Sequence, residues 1–430
     1  MMSSKKISFY TFGCRLNQSE TASIENSFEA KGYRVVELSA QSDIVVINTC
    51  TVTEGGDADT RHLVNKVNRL NPQARIALVG CQAQVQKEQL AALPNVKWIV
   101  GNQRKMDLVG VFNEYPDPQG AQVVAPTIER EPFTSPMASI DHSHTRANIK
   151  IQDGCDFFCS FCEIPYARGR ARSRVFDDIL LEAKALAAAG HKELILTGIN
   201  IGTYQHEGRQ LLDVITALEK IDDLKRIRIS SIEPTTIPTA LFDRMGQGKL
   251  CRYLHIPLQS GHNDILSQMK RKYTLEEFSA FIHEAYAKVP QICIGTDVIV
   301  GFPGETDTHF EDTINFLRKA PIHYFHVFSY SPRHMAKSRL MDTLPIKVIQ
   351  ERSRTLQELS ARKRRIFQES LLGTVQDVLL EKSTGHIWPG LTDNYVKVKF
   401  VSDDNEWNKM IPMRLKAIEG AHMIGEALSR

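Results

Sequence analysis

The sequence predicts an α/β protein with three parts: a parallel, Rossmann-like α/β domain, a partial (β/α)6 barrel and a small C-terminal β-barrel. In two separate stretches apolar strands alternate with amphipathic helices, which is typical of parallel sheets. After residue 370 the pattern changes to short strands separated by glycines, which favours a small all-β fold. The predicted boundaries are 1–115 for the first domain, 116–146 for a proline-rich linker, 147–370 for the partial barrel with its last helix, and 371–430 for the β-barrel.

The first domain is predicted from strands that alternate with amphipathic helices. Apolar strands are expected at residues 7–10, 44–48 and 76–79, with helices near 19–31 and 60–70. The stretch from 115 to 136 contains five prolines and has no hydrophobic period. It is therefore interpreted as a linker.

The second alternating stretch predicts six βα units. Its candidate strands are centred near residues 149, 194, 227, 254, 298 and 325. Six units are too many for a simple open mononucleotide fold and too few for a closed eight-stranded barrel, so a partial barrel is expected. A long charged helix near 346–369 follows, and strands near 375–380, 395–401 and 410–412 predict the terminal β-barrel.

Composition limits the classes of function. The 53 basic and 50 acidic residues nearly cancel, so a nucleic-acid partner can be argued only from local basic clusters. One cluster consists of Arg168, Arg170, Arg172 and Arg174, and another is the sequence RKRR at 362–365. The start MMSSKKISFY lacks an apolar signal core, and no apolar run reaches membrane-spanning length, which predicts a cytoplasmic protein. In that compartment the eight cysteines indicate metal ligands, catalytic thiols or buried residues before disulfides.

Three of the cysteines, Cys155, Cys159 and Cys162, form a C-x3-C-x2-C motif just after a predicted strand. A structural zinc site would need a fourth protein ligand, and no close-spaced pair follows. Iron-sulfur clusters are bound by cysteine thiolates, normally four for a 4Fe-4S cluster. Three ligands would leave one iron free, as an open metal position does in a catalytic site. The missing fourth thiolate therefore favours a catalytic cluster over structural zinc or unliganded thiols.

Three further cysteines, Cys14, Cys50 and Cys81, each follow a predicted parallel strand of the first domain. The carboxyl ends of such strands lie along one edge of the sheet, where ligands bind. We therefore expect these thiols to meet and to hold a second cluster, although one buried free cysteine alone would favour a packing role. Cys251 and Cys293 lie at strand starts without a partner, and we expect them in the core.

The cysteine motif, with Phe161 before its last cysteine, resembles that of the radical S-adenosylmethionine enzymes. The resemblance implies a partial-barrel fold and a cluster whose open iron chelates the methionine moiety of S-adenosylmethionine. It also implies that an electron passed through this cluster cleaves the sulfonium to give a 5′-deoxyadenosyl radical. The electron donor would be a protein such as a flavodoxin or a ferredoxin.

Motifs along nearly the whole chain resemble the methylthiotransferases among these enzymes. They are TFGCRLNQSE, INTCTVTE, LVGC, GCDFFCSFCEIPYARGRARSR, LTGINIGTY, SSIEP, HIPLQSG and DVIVGFPGET. The terminal β-barrel is similar to a TRAM domain, an RNA-binding module. Members attach a methylthio group to a tRNA adenosine or to a ribosomal-protein aspartate. The residues RLNQ at 15–18, together with LILTGINIGTY, resemble the branch that acts on N6-threonylcarbamoyladenosine beside the anticodon.

The resemblance gives each set of cysteines a role. Cluster one (Cys155, Cys159 and Cys162) would generate the radical. Cluster two (Cys14, Cys50 and Cys81) would hold the sulfur atom to be transferred, which an external sulfur source would replace. One S-adenosylmethionine would methylate that sulfur and a second would be cleaved. A radical route suits carbon 2 of adenine, because its C–H bond is strong and is not acidic enough for a general base to deprotonate.

Other residues are candidates for binding S-adenosylmethionine. They are Phe161, Gly198, Asn200, Glu233, Gln259 and Gly301. Polar residues at strand ends also cap helices or satisfy barrel ends, so this structural alternative stays open for them. The family often has a Gly-Thr pair where this chain has Arg333 and His334, which is a departure at one edge of the cofactor site.

The arginines that follow cluster one have two interpretations. Arg168, Arg170, Arg172 and Arg174 form either a solvated face or a site for tRNA phosphates or the threonyl carboxylate of the substrate. Their position directly after the cluster favours the second interpretation. Two other functions also remain for the whole chain: a ribosomal-protein aspartate methylthiotransferase, and an iron-sulfur RNA-binding factor without radical chemistry.

Overall fold

The structure is a computed structural model that describes residues 5–51, 54–136, 145–383 and 385–428. The strands of the first domain are β1 (Lys6–Thr11), β2 (Arg34–Val35), β3 (Ile44–Thr49), β4 (Arg75–Gly80), β5 (Val96–Val100) and β6 (Gln122–Val124). Its helices are α1 (Arg15–Glu29), α2 (Glu54–Leu70), α3 (Cys81–Val85), α4 (Lys87–Ala91) and α5 (Leu108–Glu114). The strands form one parallel sheet in the order β2-β1-β3-β4-β5-β6, which confirms the predicted α/β domain.

The central strands of this sheet are continuous apolar runs because helices cover both faces. Every residue of β3 is buried. Successive side chains of a strand point to opposite faces, so Val46 packs with Phe28 of α1, whereas Val45 packs with Val64 of α2. The two covered faces hold the sheet rigid and leave its carboxyl edge free for a site.

The stretch predicted as a linker contains a strand. Gln122–Val124 pairs with β5 and forms the edge of the first sheet. Further along, Phe133 forms a bridge with Arg174 of the second domain, and its ring lies 4.8 Å from Lys150 Nζ. Strand β6 was not predicted, because three residues between prolines show no hydrophobic period. Residues 137–144 of the predicted linker lie outside the described residues.

The second domain is the predicted partial barrel. Its strands are β7 (Arg146–Lys150), β8 (Gln152–Asp153), β9 (Arg172–Ser173), β10 (Glu193–Thr197), β11 (Gln205–His206), β12 (Arg209–Gln210), β13 (Arg226–Ile229), β14 (Tyr253–His255), β15 (Cys293–Val300) and β16 (Tyr324–Ser329). Its helices are α6 (Ile164–Arg168), α7 (Phe176–Ala188), α8 (Leu211–Glu219), α9 (Asn263–Gln268), α10 (Leu275–Lys288), α11 (Asp307–Lys319) and α12 (Ile346–Ser370). Parallel pairing gives the orders β13-β10-β7 and β14-β15-β16, and single bridges such as Ser231 with His255 join the two sheets.

One large hydrophobic core fills this domain, and α12 protects its last strand. The apolar face of α7 enters the core through Ile179, Ala183 and Leu186, as its helical spacing predicts. The Ser360 hydroxyl of α12 donates to the Phe325 carbonyl and accepts from the Phe325 amide. Helix α12 therefore satisfies backbone groups of β16 that an open sheet edge would expose.

The third domain is a closed β-barrel. Its strands are β17 (Val375–Leu380), β18 (Ile387–Thr392), β19 (Lys397–Val401), β20 (Met410–Glu419) and β21 (His422–Ala427), and they close in the order β17-β18-β19-β21-β20. Strands β18 and β21 were not predicted, because proline and glycine interrupt their apolar alternation. Strand β20 extends beyond its predicted end at residue 412. Among the described helices, none combines the length and the apolar composition that a membrane span requires.

Candidate active site

The loop between β8 and α6 brings the cysteines of the C-x3-C-x2-C motif together. Its entrance requires glycine: Gly154 has a φ of +71°, and a Cβ there would lie 2.1 Å from the Arg170 carbonyl oxygen. The amide of Cys155 donates to the Gly169 carbonyl. The entrance of the loop therefore packs closely on the backbone of Gly169 and Arg170, next to the carboxyl end of the first barrel strand.

Burial controls the acidity of these thiols. It raises the pKa of Cys155 to about 11 and also raises the pKa values of Cys159 and Cys162. Arg271 Nη1 lies 3.2 Å from Cys159 Sγ and donates to it. Because the thiolate is the metal ligand, a metal that binds here must displace the thiol protons.

The spacing of the cysteines fits a cluster of several metal ions better than a single ion. All eight cysteines lie in the described residues, and no three of their sulfurs come within 4.8 Å of one another. A single zinc ion with a Zn–S distance of about 2.3 Å would hold its thiolates roughly 3.8 Å apart. A donor set of thiols alone, spread more widely, has the chemistry of an iron-sulfur site.

The cysteines of the first domain lie along one edge of its sheet. Cys14 follows β1, Cys50 follows β3 and Cys81 begins α3 after β4, so the three lie at the carboxyl ends of adjacent parallel strands. A Cβ on Gly13, whose φ is +93°, would lie 2.7 Å from Cys50 Sγ. Cys81 Sγ accepts a hydrogen bond of 3.2 Å from Arg168 Nε. The exposure of these residues falls from Cys14 to Cys81, so the set is open to a ligand from one side.

A buried polar contact joins the two cysteine loops. The hydroxyl of Thr51, the residue after Cys50, donates to Glu163 Oε2 at 2.6 Å, and Glu163 is the residue after Cys162. Arg333 Nη2 donates to the same hydroxyl at 2.9 Å and to Asp57 Oδ2 at 2.6 Å. Arg333 is thus buried against the first domain, whereas His334 is exposed. The contact fixes the separation of the loops.

The prediction that the arginines after cluster one bind tRNA is wrong for Arg168 and Arg174. Their side chains are 1% exposed, and each is paired with carboxylates of the protein. Arg172 is 9% exposed and paired with Asp153. Arg170 is 52% exposed, but it is paired with Asp156 and lies 4.9 Å from the Phe158 ring. Ion pairing within the protein, which local sequence does not reveal, occupies most of these guanidinium groups.

Arg168 belongs to a buried network that joins the first two domains. Glu20 of α1 accepts from Lys105, Lys150 and Arg168 at 2.6 to 2.8 Å. Burial alone would raise the pKa of Glu20, but the three cations hold it well below its usual range. Asp153, beside Lys150 and Arg168, also has a lowered pKa against the effect of burial. The carboxylates are therefore ionised where they lie, and they bind the domains together.

The RKRR cluster of α12 is divided between structural and exposed positions. Lys363 Nζ donates to the carbonyls of Leu317, Arg318 and Ala320 at the end of α11, and burial lowers the pKa of Lys363 to about 8. Arg362 is exposed. Arg364 and Arg365 are exposed as well, so Lys363 serves the fold while the three arginines of this cluster face solvent.

The cofactor candidates after β10 form a tight turn. Gln152 Oε1 accepts from the amides of Ile199 and Asn200 at 3.0 and 2.9 Å. A Cβ on Gly198 would lie 3.0 Å from the Gln152 backbone oxygen. Asn200 Oδ1 accepts from Thr236, whereas its buried Nδ2 has no hydrogen-bond partner among the described residues. Its free amide donor is the kind of group that a bound ligand satisfies.

The other cofactor candidates lie at neighbouring strand ends. Glu233 is paired with Arg271 at 2.5 Å, and burial raises the pKa of its carboxyl even so. Gln259 has a left-handed φ of 74° and bridges to β15. Gly301, with a φ of +75°, would bring a Cβ within 2.5 Å of Ile349. Phe161 packs on a small apolar cluster beside these ends. The structure brings all of these candidates to the carboxyl side of the barrel.

A cavity of 420 Å³ lies where the three domains meet. Cys14 and Arg15 line it from the first domain, Tyr395 lines it from the β-barrel, and Gly198 lines it from the partial barrel. The volume falls in the range of small-molecule sites. The cavity therefore places the cysteine edge of the first domain opposite the strand ends of the second.

Sequence reasoning missed several groups in this cavity. His255 ends β14, Asp297 lies within β15 and His326 lies within β16. His255 Nε2 is 3.2 Å from Asp297 Oδ1. Burial and the neighbouring His255 lower the pKa of His326. His255 begins the motif HIPLQSG and Asp297 begins the motif DVIVGFPGET, which was the only sequence signal for these side chains. The motifs indicated the family but not the role of either residue.

Family models match both of the domains that carry the cysteine loops. Residues 149–317 match the model of the radical SAM superfamily, and residues 6–101 match the model described as uncharacterized protein family UPF0004. A solved structure of the radical S-adenosylmethionine methyltransferase TsrM from Kitasatospora setae, with tryptophan and an analogue of S-adenosylmethionine, has a TM-score of 0.55 at 14% identity. That alignment covers 76% of this chain and 73% of TsrM, and it concerns the fold alone.

Curated relatives match over nearly the full chain. The threonylcarbamoyladenosine tRNA methylthiotransferase MtaB of Aquifex aeolicus is 39% identical, with 92% of this chain and 96% of the relative aligned. The MtaB protein of Bacillus subtilis is 34% identical over 95% of this chain and 93% of its own length. A tRNA-2-methylthio-N(6)-dimethylallyladenosine synthase of Cereibacter sphaeroides is 32% identical, with 89% of each chain aligned. The chain therefore belongs to the tRNA methylthiotransferase family of radical S-adenosylmethionine enzymes.

Proposed function

We propose that this enzyme inserts a methylthio group at carbon 2 of N6-threonylcarbamoyladenosine beside the tRNA anticodon. The observation that carries the proposal is the cavity in which Cys14 of the first domain faces the strand ends of the radical domain. Such a cavity lets one bound base meet both halves of the enzyme. The relative from Aquifex aeolicus is named for the same nucleoside.

Two 4Fe-4S clusters and S-adenosylmethionine are the cofactors of the proposed reaction. Cys155, Cys159 and Cys162 would hold cluster one, and Cys14, Cys50 and Cys81 would hold cluster two. Together with S-adenosylmethionine these groups supply the radical and the methylated sulfur. Each set offers three thiols, so each leaves an iron position for a ligand other than the protein.

The protein's own groups orient the reactants. The turn held by Gln152 presents Gly198 and the free amide donor of Asn200 to the cofactor. The pair of Glu233 and Arg271 places a carboxylate at the same strand ends, which would accept hydrogen bonds from the hydroxyl or amino groups of the cofactor. The contact between Thr51 and Glu163 holds the two cysteine loops at one distance, which positions the sulfur donor relative to the radical source.

The proposal also requires partners. The substrate is tRNA, the electron donor is a flavodoxin or a ferredoxin, and a separate sulfur source restores cluster two after each turnover. Because the substrate is tRNA, we place the reaction in the cytoplasm. The names of the relatives favour tRNA over a ribosomal-protein aspartate, and membership of the radical family favours an enzyme over a non-catalytic RNA-binding factor.

Nucleoside mass spectrometry tests the function. The anaerobically reconstituted enzyme is mixed with dithionite, S-adenosylmethionine and tRNA that carries N6-threonylcarbamoyladenosine. We expect the 2-methylthio derivative of this nucleoside, and none from the variant with Cys14, Cys50 and Cys81 replaced by alanine. A product that forms on tRNA with N6-dimethylallyladenosine, or on ribosomal protein, and not on the threonylcarbamoyl tRNA would refute the assignment.

A further inference from the structure

Arg15 places a positive charge in the active-site cavity next to a cysteine of cluster two. It is the first residue of α1, directly after Cys14, and both residues line the cavity. Its guanidinium donates to Tyr395 Oη at 2.7 Å. A guanidinium has five N–H donors in a planar fork, so this one hydrogen bond leaves most of them free.

The charge of Arg15 has no acidic partner within 4.0 Å among the described residues. The acid that lines the same cavity, Asp297, lies beside His255 at 3.2 Å. Nearby Arg228 is paired with Glu193, by contrast. A half-buried guanidinium without a counter-ion inside a cavity is suited to bind an anionic group of a ligand.

Tyr395 holds this guanidinium in place from another domain. The Tyr395 ring packs on the Tyr253 ring at 4.4 Å between centroids, and Arg228 lies 5.4 Å from its centre. The tyrosine hydroxyl is a neutral acceptor, so it orients Arg15 without neutralising it. The β-barrel therefore contributes a rigid wall to the site and fixes the direction of the free donors.

We propose that Arg15 binds the threonyl carboxylate of the substrate nucleoside and is a specificity-determining residue. The inference rests on the proposed function. A bidentate contact between guanidinium and carboxylate fixes both position and orientation. Because Arg15 adjoins Cys14, it holds the threonylcarbamoyl side of the base against the sulfur-bearing edge of the first domain. A nucleoside without the carboxylate leaves this cation unpaired in the cavity.

Binding of matched RNAs tests this role. Three anticodon stem-loop RNAs carry N6-threonylcarbamoyladenosine, its methyl ester or unmodified adenosine beside the anticodon, and fluorescence anisotropy gives Kd for the reconstituted enzyme. We expect the wild type to bind the free acid about 10- to 100-fold more tightly than the ester, the range of a charge-assisted hydrogen bond. Arg15→Met should abolish this difference and leave the Kd of the ester unchanged, while Arg15→Lys should keep part of the difference.

Controls separate the other sources of an anion. Arg354, exposed on α12, serves as the matched surface arginine, and Arg354→Met should keep the preference for the acid. The proposal is overturned if Arg15→Met weakens all three RNAs equally, since that indicates a phosphate contact. It is also overturned if Arg15→Met raises the KM for S-adenosylmethionine when the cofactor is cleaved without RNA. In that case Arg15 binds the carboxylate of the cofactor and not that of the substrate. Unchanged iron content and an unchanged Tm of Arg15→Met exclude misfolding. If the wild type forms no 2-methylthio product in the mass-spectrometry assay, the proposed function is refuted instead of the role of Arg15.

Discussion

At the scale of single residues, Arg168 lies in a buried ion-pair network with Glu20, which is 148 positions away along the chain. A short local spacing, such as that of Cys155, Cys159 and Cys162, is visible in the sequence, whereas a partner so far away is not. An alternation of arginines and small residues looks the same on a solvated face as in a buried network. Only the packing of α1 against the second domain decides between the two.

Removing the Glu20 charge should destabilise the protein strongly. Glu20→Gln leaves Lys105, Lys150 and Arg168 buried together without their shared carboxylate. We expect a loss of about 3–5 kcal/mol, the range for breaking a buried ion pair. Thermal unfolding of the cluster-free protein, followed by circular dichroism, should show a clear decrease in Tm. Glu29→Gln, at the exposed end of the same helix, is the control and should have almost no effect.

The same network predicts the direction of the response to acid. The folded-state pKa of Glu20 is lowered, so its stabilisation is complete above the unfolded pKa of about 4.3 and is lost as pH falls through the folded value. The Tm of the wild type should therefore fall below about pH 4, and that of Glu20→Gln should fall less. Equal slopes for the two proteins would contradict the role of Glu20.

At the scale of elements, the loops at the strand ends depend on backbone geometry. Gly154→Ala would place a Cβ 2.1 Å from the Arg170 carbonyl at a φ of +71°. We expect the loop of cluster one to rearrange and about half of the bound iron to be lost, as measured by iron analysis after reconstitution. Gly208→Ala is the control, because Gly208 has a φ of +79° with no atom within 4 Å of the added Cβ. Full iron retention by Gly154→Ala would show that the loop tolerates the side chain.

The contact between the loops predicts a different defect. Thr51→Val removes the hydroxyl that bridges Glu163 and Arg333 but leaves every cysteine in place. We expect normal iron content and continued cleavage of S-adenosylmethionine, with several-fold less methylthiolated product per cofactor cleaved. The ratio of 5′-deoxyadenosine to product measures this uncoupling. The exposed Thr355→Val on α12 should leave the ratio unchanged, and an unchanged ratio in Thr51→Val would refute the positioning role.

At the scale of the whole molecule, the order of domains was predictable, whereas their meeting point was not. Hydrophobic periods predicted the parallel sheet, the six barrel strands and the long helix, since long periodic elements carry a clear signal. They could not show that the β-barrel packs on the partial barrel, because that surface combines residues far apart in sequence. Arg228, for example, donates to the carbonyls of Thr392 and Asp393. The β-barrel also lines the cavity of the proposed active site through Tyr395, and it is a candidate RNA-binding module.

Truncation after residue 370 tests this integration. Cys251, Tyr253 and Cys293 of the partial barrel share one hydrophobic core with Val378 and Val398 of the β-barrel. Without the β-barrel these residues would be exposed to water, and we expect a lower Tm and aggregation on heating. A truncated chain with the Tm of the full protein would show that the β-barrel is an independent appendage.

The central claim is that the chain carries two independent iron-sulfur sites. Iron and acid-labile sulfide per chain, with Mössbauer spectra, should be measured after anaerobic reconstitution of the wild type and two triple alanine variants. One variant lacks Cys155, Cys159 and Cys162, and the other lacks Cys14, Cys50 and Cys81. We predict about eight irons in the wild type and about four in either variant. A wild type with about four irons, all lost when Cys155, Cys159 and Cys162 are replaced, would contradict the account and leave the first-domain cysteines as core thiols.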